Sequence, residues 1–102
     1  MKLWRQGDIF VGSVESVPTE AKRKHSPVLI EGEVTGHSHR VEGPEAVSLW
    51  ETEESFYVQV FAAEVRIVHE EHAPITLPTG LYRVWRQREY TPGPIRFQYV
   101  VD

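Results

Sequence analysis

Two short segments hold the residues whose types and spacing could do chemistry. In Gly32 to Val41 (GEVTGHSHRV), His37 and His39 stand two apart, and a strand there would project Thr35, His37 and His39 from one face. Imidazole titrates near neutrality, so such a pair can keep one neutral member as general base and one charged member as general acid. A solvated polar strand face has the same spacing, but Gly36 within the run marks a bulge or a close backbone approach to a ligand. The second segment is Arg83 to Tyr90 (RVWRQREY). From Arg83 to Arg96, four arginines stand against one acid, Glu89. On a strand, Tyr82, Val84, Arg86, Arg88 and Tyr90 share one face, and Arg83, Trp85, Gln87 and Glu89 the other. Guanidinium forks match phosphate oxygens and interleaved aromatics stack on bases. The plainer alternative is cross-strand pairing of these arginines with Glu51, Glu53, Glu54 or Glu64.

Together the two segments predict a metal-independent phosphodiesterase acting on RNA or a small cyclic oligonucleotide. His37 and His39 are the expected base and acid, in either order, and Tyr90 adds a hydrogen bond or stacks on a base. Arg40, Arg83, Arg86 and Arg88 are the expected substrate-binding residues, with Arg86 and Arg88 clamping phosphate.

A third cluster, His69-Glu70-Glu71-His72, lies between a predicted strand and Pro74. Its histidines are three apart rather than the four that one helical face requires, so it reads as a charged loop ending a strand, with either histidine able to hold a partner in place. His37-x-His39-x-x-Glu42 resembles the first half of the cupin motif, which implies a metal bound by His37, His39 and Glu42 inside a small barrel. Pro78-Thr79-Gly80 resembles the turn of the second half, but Arg83 stands at the next ligand position, leaving His69 or His72 to substitute. The first expectation is therefore no metal and no cofactor.

The elements that must position these residues read as strands. Asp8–Val14, Pro27–Ile30, Glu33–Val41, Ala46–Trp50, Phe56–Phe61, Val65–His69, Leu81–Tyr90 and Ile95–Val101 are short, rich in β-branched or aromatic residues, and separated by Gly or Pro. Pro18–Lys24 has room for one helical turn, and Ser48–Ser55 reads as an acidic loop. The expectation is an all-β fold: a single domain over residues 1–102, forming a small antiparallel barrel or sandwich. An edge strand at Ile95–Val101 in so small a domain predicts a homodimer.

Composition narrows the partners. The chain has 102 residues, 40% hydrophobic, with 11 Lys+Arg against 15 Asp+Glu and a net charge of −4. That balance argues against coating duplex DNA, which relies on a broad basic surface, and leaves room for one focused anion site. There is no cysteine, which excludes disulfides, Cys-zinc sites and thiol nucleophiles. MKLWRQGDIF contains no signal-like apolar run and no 18 apolar residues stand together, so a cytoplasmic, non-membrane protein is expected.

Two stretches, EGEVTGHSHRV (Glu31–Val41) and HEEHAPITLPTGLYRVWRQREY (His69–Tyr90), resemble a family of small bacterial and phage β proteins without an assigned activity. The resemblance implies that both belong to one site. A looser similarity of size and His/Arg chemistry points to the metal-independent ring nucleases of type III CRISPR antiviral defence. The competing class is a non-catalytic module that binds single-stranded nucleic acid or a protein through Trp50, Phe56, Tyr57, Trp85, Phe97 and Tyr99.

Overall fold

A computed structural model describes residues 2–31 and 36–87. The described residues form an antiparallel sheet of eight strands: β1 (Leu3–Gln6), β2 (Ile9–Ser13), β3 (Lys22–Lys24), β4 (Val28–Glu31), β5 (Ser38–Glu42), β6 (Val47–Glu51), β7 (Phe56–Val68) and β8 (Ile75–Arg86). The main path runs β1-β2-β8-β7-β5-β4, with β6 also paired to β7 and β3 to β6. It is an open path: β1 and β4 lie at its two ends. The all-β, antiparallel expectation holds.

The departures from the predicted elements in β7 and β8 share one cause. Pro and Gly predict strand breaks, but a bulge accommodates both. Phe56–Phe61 and Val65–His69 are one strand, β7, whose register against β8 shifts between Val60↔Gly80 and Glu64↔Pro78. Pro78-Thr79-Gly80 therefore lies inside β8 and is not a cupin-like turn. Thr79 Oγ1 donates to the Ala62 carbonyl across this bulge. Pro18–Lys24 yields a strand, β3, where a helical turn was expected, because Lys22 to Lys24 pair with Glu51 to Leu49. The first four residues of the supposed Ser48–Ser55 loop lie in β6. Only Pro44–Ala46 is helical, as a single 3-10 turn among the described residues. The Leu3–Gln6 strand was not anticipated, its alternation being too short to register. Ile95–Val101 lies outside the described residues.

One apolar cluster unites the strands, with Ile9, Val11, Val58, Ile67, Leu77 and Val84 almost fully excluded from water. Burial of each such side chain contributes about 1.5 to 3 kcal/mol. The sheet curls around this core. As a result the turn between β1 and β2 reaches the far end of the β7–β8 hairpin: Gln6 Nε2 donates to the carbonyls of Ile67 and Ala73, both at 2.9 Å. On the other flank, Arg86 Nη2 donates to the Glu31 carbonyl of β4 at 2.7 Å. Side chains thus span a seam that strand pairing leaves open.

Candidate functional site at the seam

The seam gathers four of the five histidines. β1 ends on Gln6, Gly7 turns the chain with φ +59°, and Asp8 leads into β2. β5 begins at Ser38, β7 ends at Val68, and the connection to β8 carries His69 to Pro74. The His39 and His69 ring centroids are 4.4 Å apart, those of His69 and His72 4.7 Å, and those of His37 and His69 5.7 Å. His72 also lies parallel to His39 at 6.3 Å, and its Nε2 would sit 2.6 Å from a Cβ built on Gly7. Only a glycine provides both the left-handed turn and that clearance.

His39 is the buried member of the group, 1% exposed. Its Nδ1 lies 2.8 Å from Gln6 Oε1 and its Nε2 3.1 Å from Asp8 Oδ1. The two carbonyls held by the Gln6 amide nitrogen leave Oε1 as the atom facing His39, so Nδ1 carries a proton and donates. Nε2 then bonds to the Asp8 carboxylate only when it is protonated too. Burial pushes the His39 pKa below its ordinary value, the Asp8 hydrogen bond opposes that push, and His69 and His72 add to it. Arg86 Nε sits 3.2 Å from the other Asp8 oxygen. Gln6, His39, Asp8 and Arg86 therefore form one continuous polar chain across the seam.

The more accessible imidazoles are held differently. His69 Nδ1 accepts from the Glu71 amide at 3.0 Å, which leaves its neutral-form proton on Nε2. His37 Nδ1 is 3.7 Å from Glu71 Oε1, and His72 is exposed. Glu70 anchors the connection by accepting from the Ser38 amide at 2.8 Å and from Arg40 Nη1 at 2.6 Å. The Ser38 hydrogen bond, with Arg40 beside it, draws the Glu70 carboxyl down to about 2. Glu70 is thus an ionised brace, not a proton donor near neutrality.

The predicted residues divide accordingly. His37 and His39 are neighbours, but His37 lies just before β5, outside the strand, and His39 is buried with both ring nitrogens engaged. His69 and His72 join the centre of the cluster. Arg86 lies at its border. Arg40 is spent on Glu70 and the Ser38 carbonyl. Arg83 faces the opposite side of β8, where its Nε donates to Ser55 Oγ at 2.7 Å and its guanidinium lies 4.9 Å from the Trp85 ring centre. Its hydrogen-bond partner there is a serine, not Glu51, Glu53, Glu54 or Glu64. Thr35, Arg88 and Tyr90 lie outside the described residues. Gln6 and Asp8 were missed. Their one sequence signal was an aspartate, one of only two in the chain, beside a turn-forming glycine.

The metal set implied by the cupin resemblance does not assemble. Glu42 alternates away from His39 on β5 and pairs with Arg66 at 3.2 Å. Among the described residues no three His, Asp or Glu side chains converge at ligand spacing, and the Glu71 amide occupies His69 Nδ1. What the arrangement offers is proton transfer at the exposed His72 and the partly buried His69 and His37, backed by a buried His39 bonded to Asp8 with an adjacent guanidinium.

Among the described residues no helix is long and apolar enough to cross a membrane. No curated protein and no solved structure matches the chain. A family model described as a domain of unknown function, DUF8820, matches residues 5–87, a span that runs from β1 to the end of β8 and includes every residue of the seam cluster. The chain belongs to the DUF8820 family.

Proposed function

We propose that the seam is the active site of a metal-independent phosphodiesterase acting on RNA or a small cyclic oligonucleotide. The observation that carries this reading is the run of contacting imidazoles from His37 through His69 to His72, backed by His39–Asp8 and bordered by Arg86. A neutral imidazole of the accessible group removes the 2′-hydroxyl proton. The 2′-oxygen attacks phosphorus, the bond to the 5′-oxygen breaks, and a second, protonated imidazole delivers a proton to that leaving oxygen. The products are a 2′,3′-cyclic phosphate and a free 5′-hydroxyl. Arg86 has five N–H donors, of which the Asp8 and Glu31 contacts use two, and its charge offsets the negative charge that builds on the phosphoryl oxygens.

In this reading His69 and His72 are the first choices for the proton-transferring pair, with His37 adjoining them, and His39 is a positioning residue. A cyclic ligand with two-fold symmetry goes together with a homodimer that places two seams around it.

The test is incubation of purified protein with EDTA and a panel of linear RNAs and cyclic oligonucleotides, with products resolved by chromatography. Cleavage in EDTA that yields cyclic phosphates, and falls at least about a hundredfold in His72→Ala or His69→Ala, is the expected result. Binding without turnover would favour the non-catalytic module, and turnover only on adding a divalent metal would overturn the metal-independent mechanism.

A further inference from the structure

Arg86 borders a second feature that the acid–base reading does not use. Beside it lies an open groove of about 340 Å³, walled by β4 and by the turn from β6 into β7. Its floor is apolar: Leu29 and Ile30 are buried, and the half-buried Phe56 closes one side. Glu53 and Glu54, both exposed, are among the residues along its wall. Two cations lie near it, since Lys24 Nζ sits 5.3 Å from the centre of the Phe56 ring and Arg86 lines the end next to Asp8. Apolar floor, aromatic side, cation at one end and acceptors along the wall match the parts of a nucleotide. The volume, at the low end for ligand pockets, suits one nucleoside.

We propose that this groove holds the base and sugar of a single nucleotide whose phosphate lies at Arg86, and that it selects bases bearing an exocyclic amino group over uracil. This rests on the phosphodiesterase reading for its substrate class, and it adds which bases that site accepts. Ionised carboxylates only accept hydrogen bonds, so Glu53 and Glu54 complement the amino groups of adenine, guanine and cytosine, whereas uracil turns a carbonyl oxygen toward the same place. Phe56 and the aliphatic floor bury the face of any base and supply affinity without selecting among bases. Arg86, bonded to Asp8 and so joined to His39, aligns the phosphate with the imidazole cluster.

The test is calorimetric titration of the full chain, in EDTA, with the 3′-monophosphates of adenosine, guanosine, cytidine and uridine. The three amino-bearing nucleotides are expected to bind about tenfold more tightly than uridine monophosphate. Glu53→Gln combined with Glu54→Gln removes that preference, and Arg86→Ala weakens all four nucleotides by about tenfold or more. Because Arg86 also spans the seam, Arg86→Lys serves as a second variant: it keeps the charge, loses the fork, and is expected to bind all four with intermediate affinity. Equal affinity for all four nucleotides, or wild-type affinity in both Arg86 variants, overturns the proposal. RNA cleavage without base preference refutes the groove and spares the phosphodiesterase. Preferential nucleotide binding without cleavage of any substrate refutes the phosphodiesterase and supports the groove.

Discussion

His39 is the residue on which the account turns, and its burial sets a measurable pH dependence. Its folded pKa lies below the ordinary 6.5, so the folded chain holds that proton less tightly than the unfolded chain. The associated stability is fully present above 6.5 and is lost as the pH falls below that value through the folded pKa. Urea melts across this range should show stability falling toward acid in the wild type and a flatter dependence in His39→Gln; parallel curves would contradict the assignment. Glu70, drawn down to about 2, contributes separately, and its share is lost as the pH falls from 4.5 toward that value. Gln6 makes a second prediction at this scale. It is 2% exposed and serves two carbonyls and one imidazole, so Gln6→Ala leaves buried groups unpaired and is expected to cost about 2 to 4 kcal/mol in a urea melt. A loss below about 0.5 kcal/mol, the size of an ordinary surface change, would contradict this role. The histidines and arginines were legible in the sequence as chemistry. Which of them meet was not, because residue type says nothing about which strands the sheet brings together. His69 and His72 read as a loop from their spacing, and they do lie in one; that loop is folded onto β5, a long-range fact that local spacing does not encode.

At the scale of elements, the β1–β2 turn and the connection between β7 and β8 depend on one close approach. A side chain at Gly7 would be strained by its φ of +59° and would also strike His72. Gly36 has φ +84° but open space around its missing Cβ. Gly7→Ala and Gly36→Ala should therefore share a backbone cost of about 1 to 2 kcal/mol in thermal melts. Only Gly7→Ala should shift the His72 ring resonances and reduce turnover; equal effects of the two substitutions would separate the turn from the site. The strands themselves were readable from β-branched and aromatic runs. Their lengths were not, because Pro78 and Gly80 mark a bulge within β8 rather than its start. Breaker residues report local backbone geometry, and the same geometry serves a turn or a bulge. β3 was hidden for another reason: its residues, Lys22 to Lys24, carry no apolar alternation and owe their conformation to pairing with β6.

For the whole molecule, the open sheet and the candidate site are two aspects of one arrangement. Strand pairing leaves a seam, and polar side chains cross it at the place where the imidazoles collect. The net charge of −4 is compatible with the proposed phosphate-binding site, since such a site needs a focused cation such as Arg86 and not a broad basic surface. The β-branched and aromatic runs between Gly and Pro conveyed the all-β class, and the charge balance argued against a broad basic face. The seam escaped it, since a sheet's curl arises from twist and bulges summed over many residues. The central claim is that accessible imidazoles transfer protons without a metal, and the most direct test is the rate of RNA cleavage in EDTA measured from about pH 5 to 8. The account predicts a bell-shaped profile, with one limb for the base and one for the acid, that loses a limb in His69→Ala or His72→Ala. A flat profile, or no cleavage across the range by a folded protein, would contradict it.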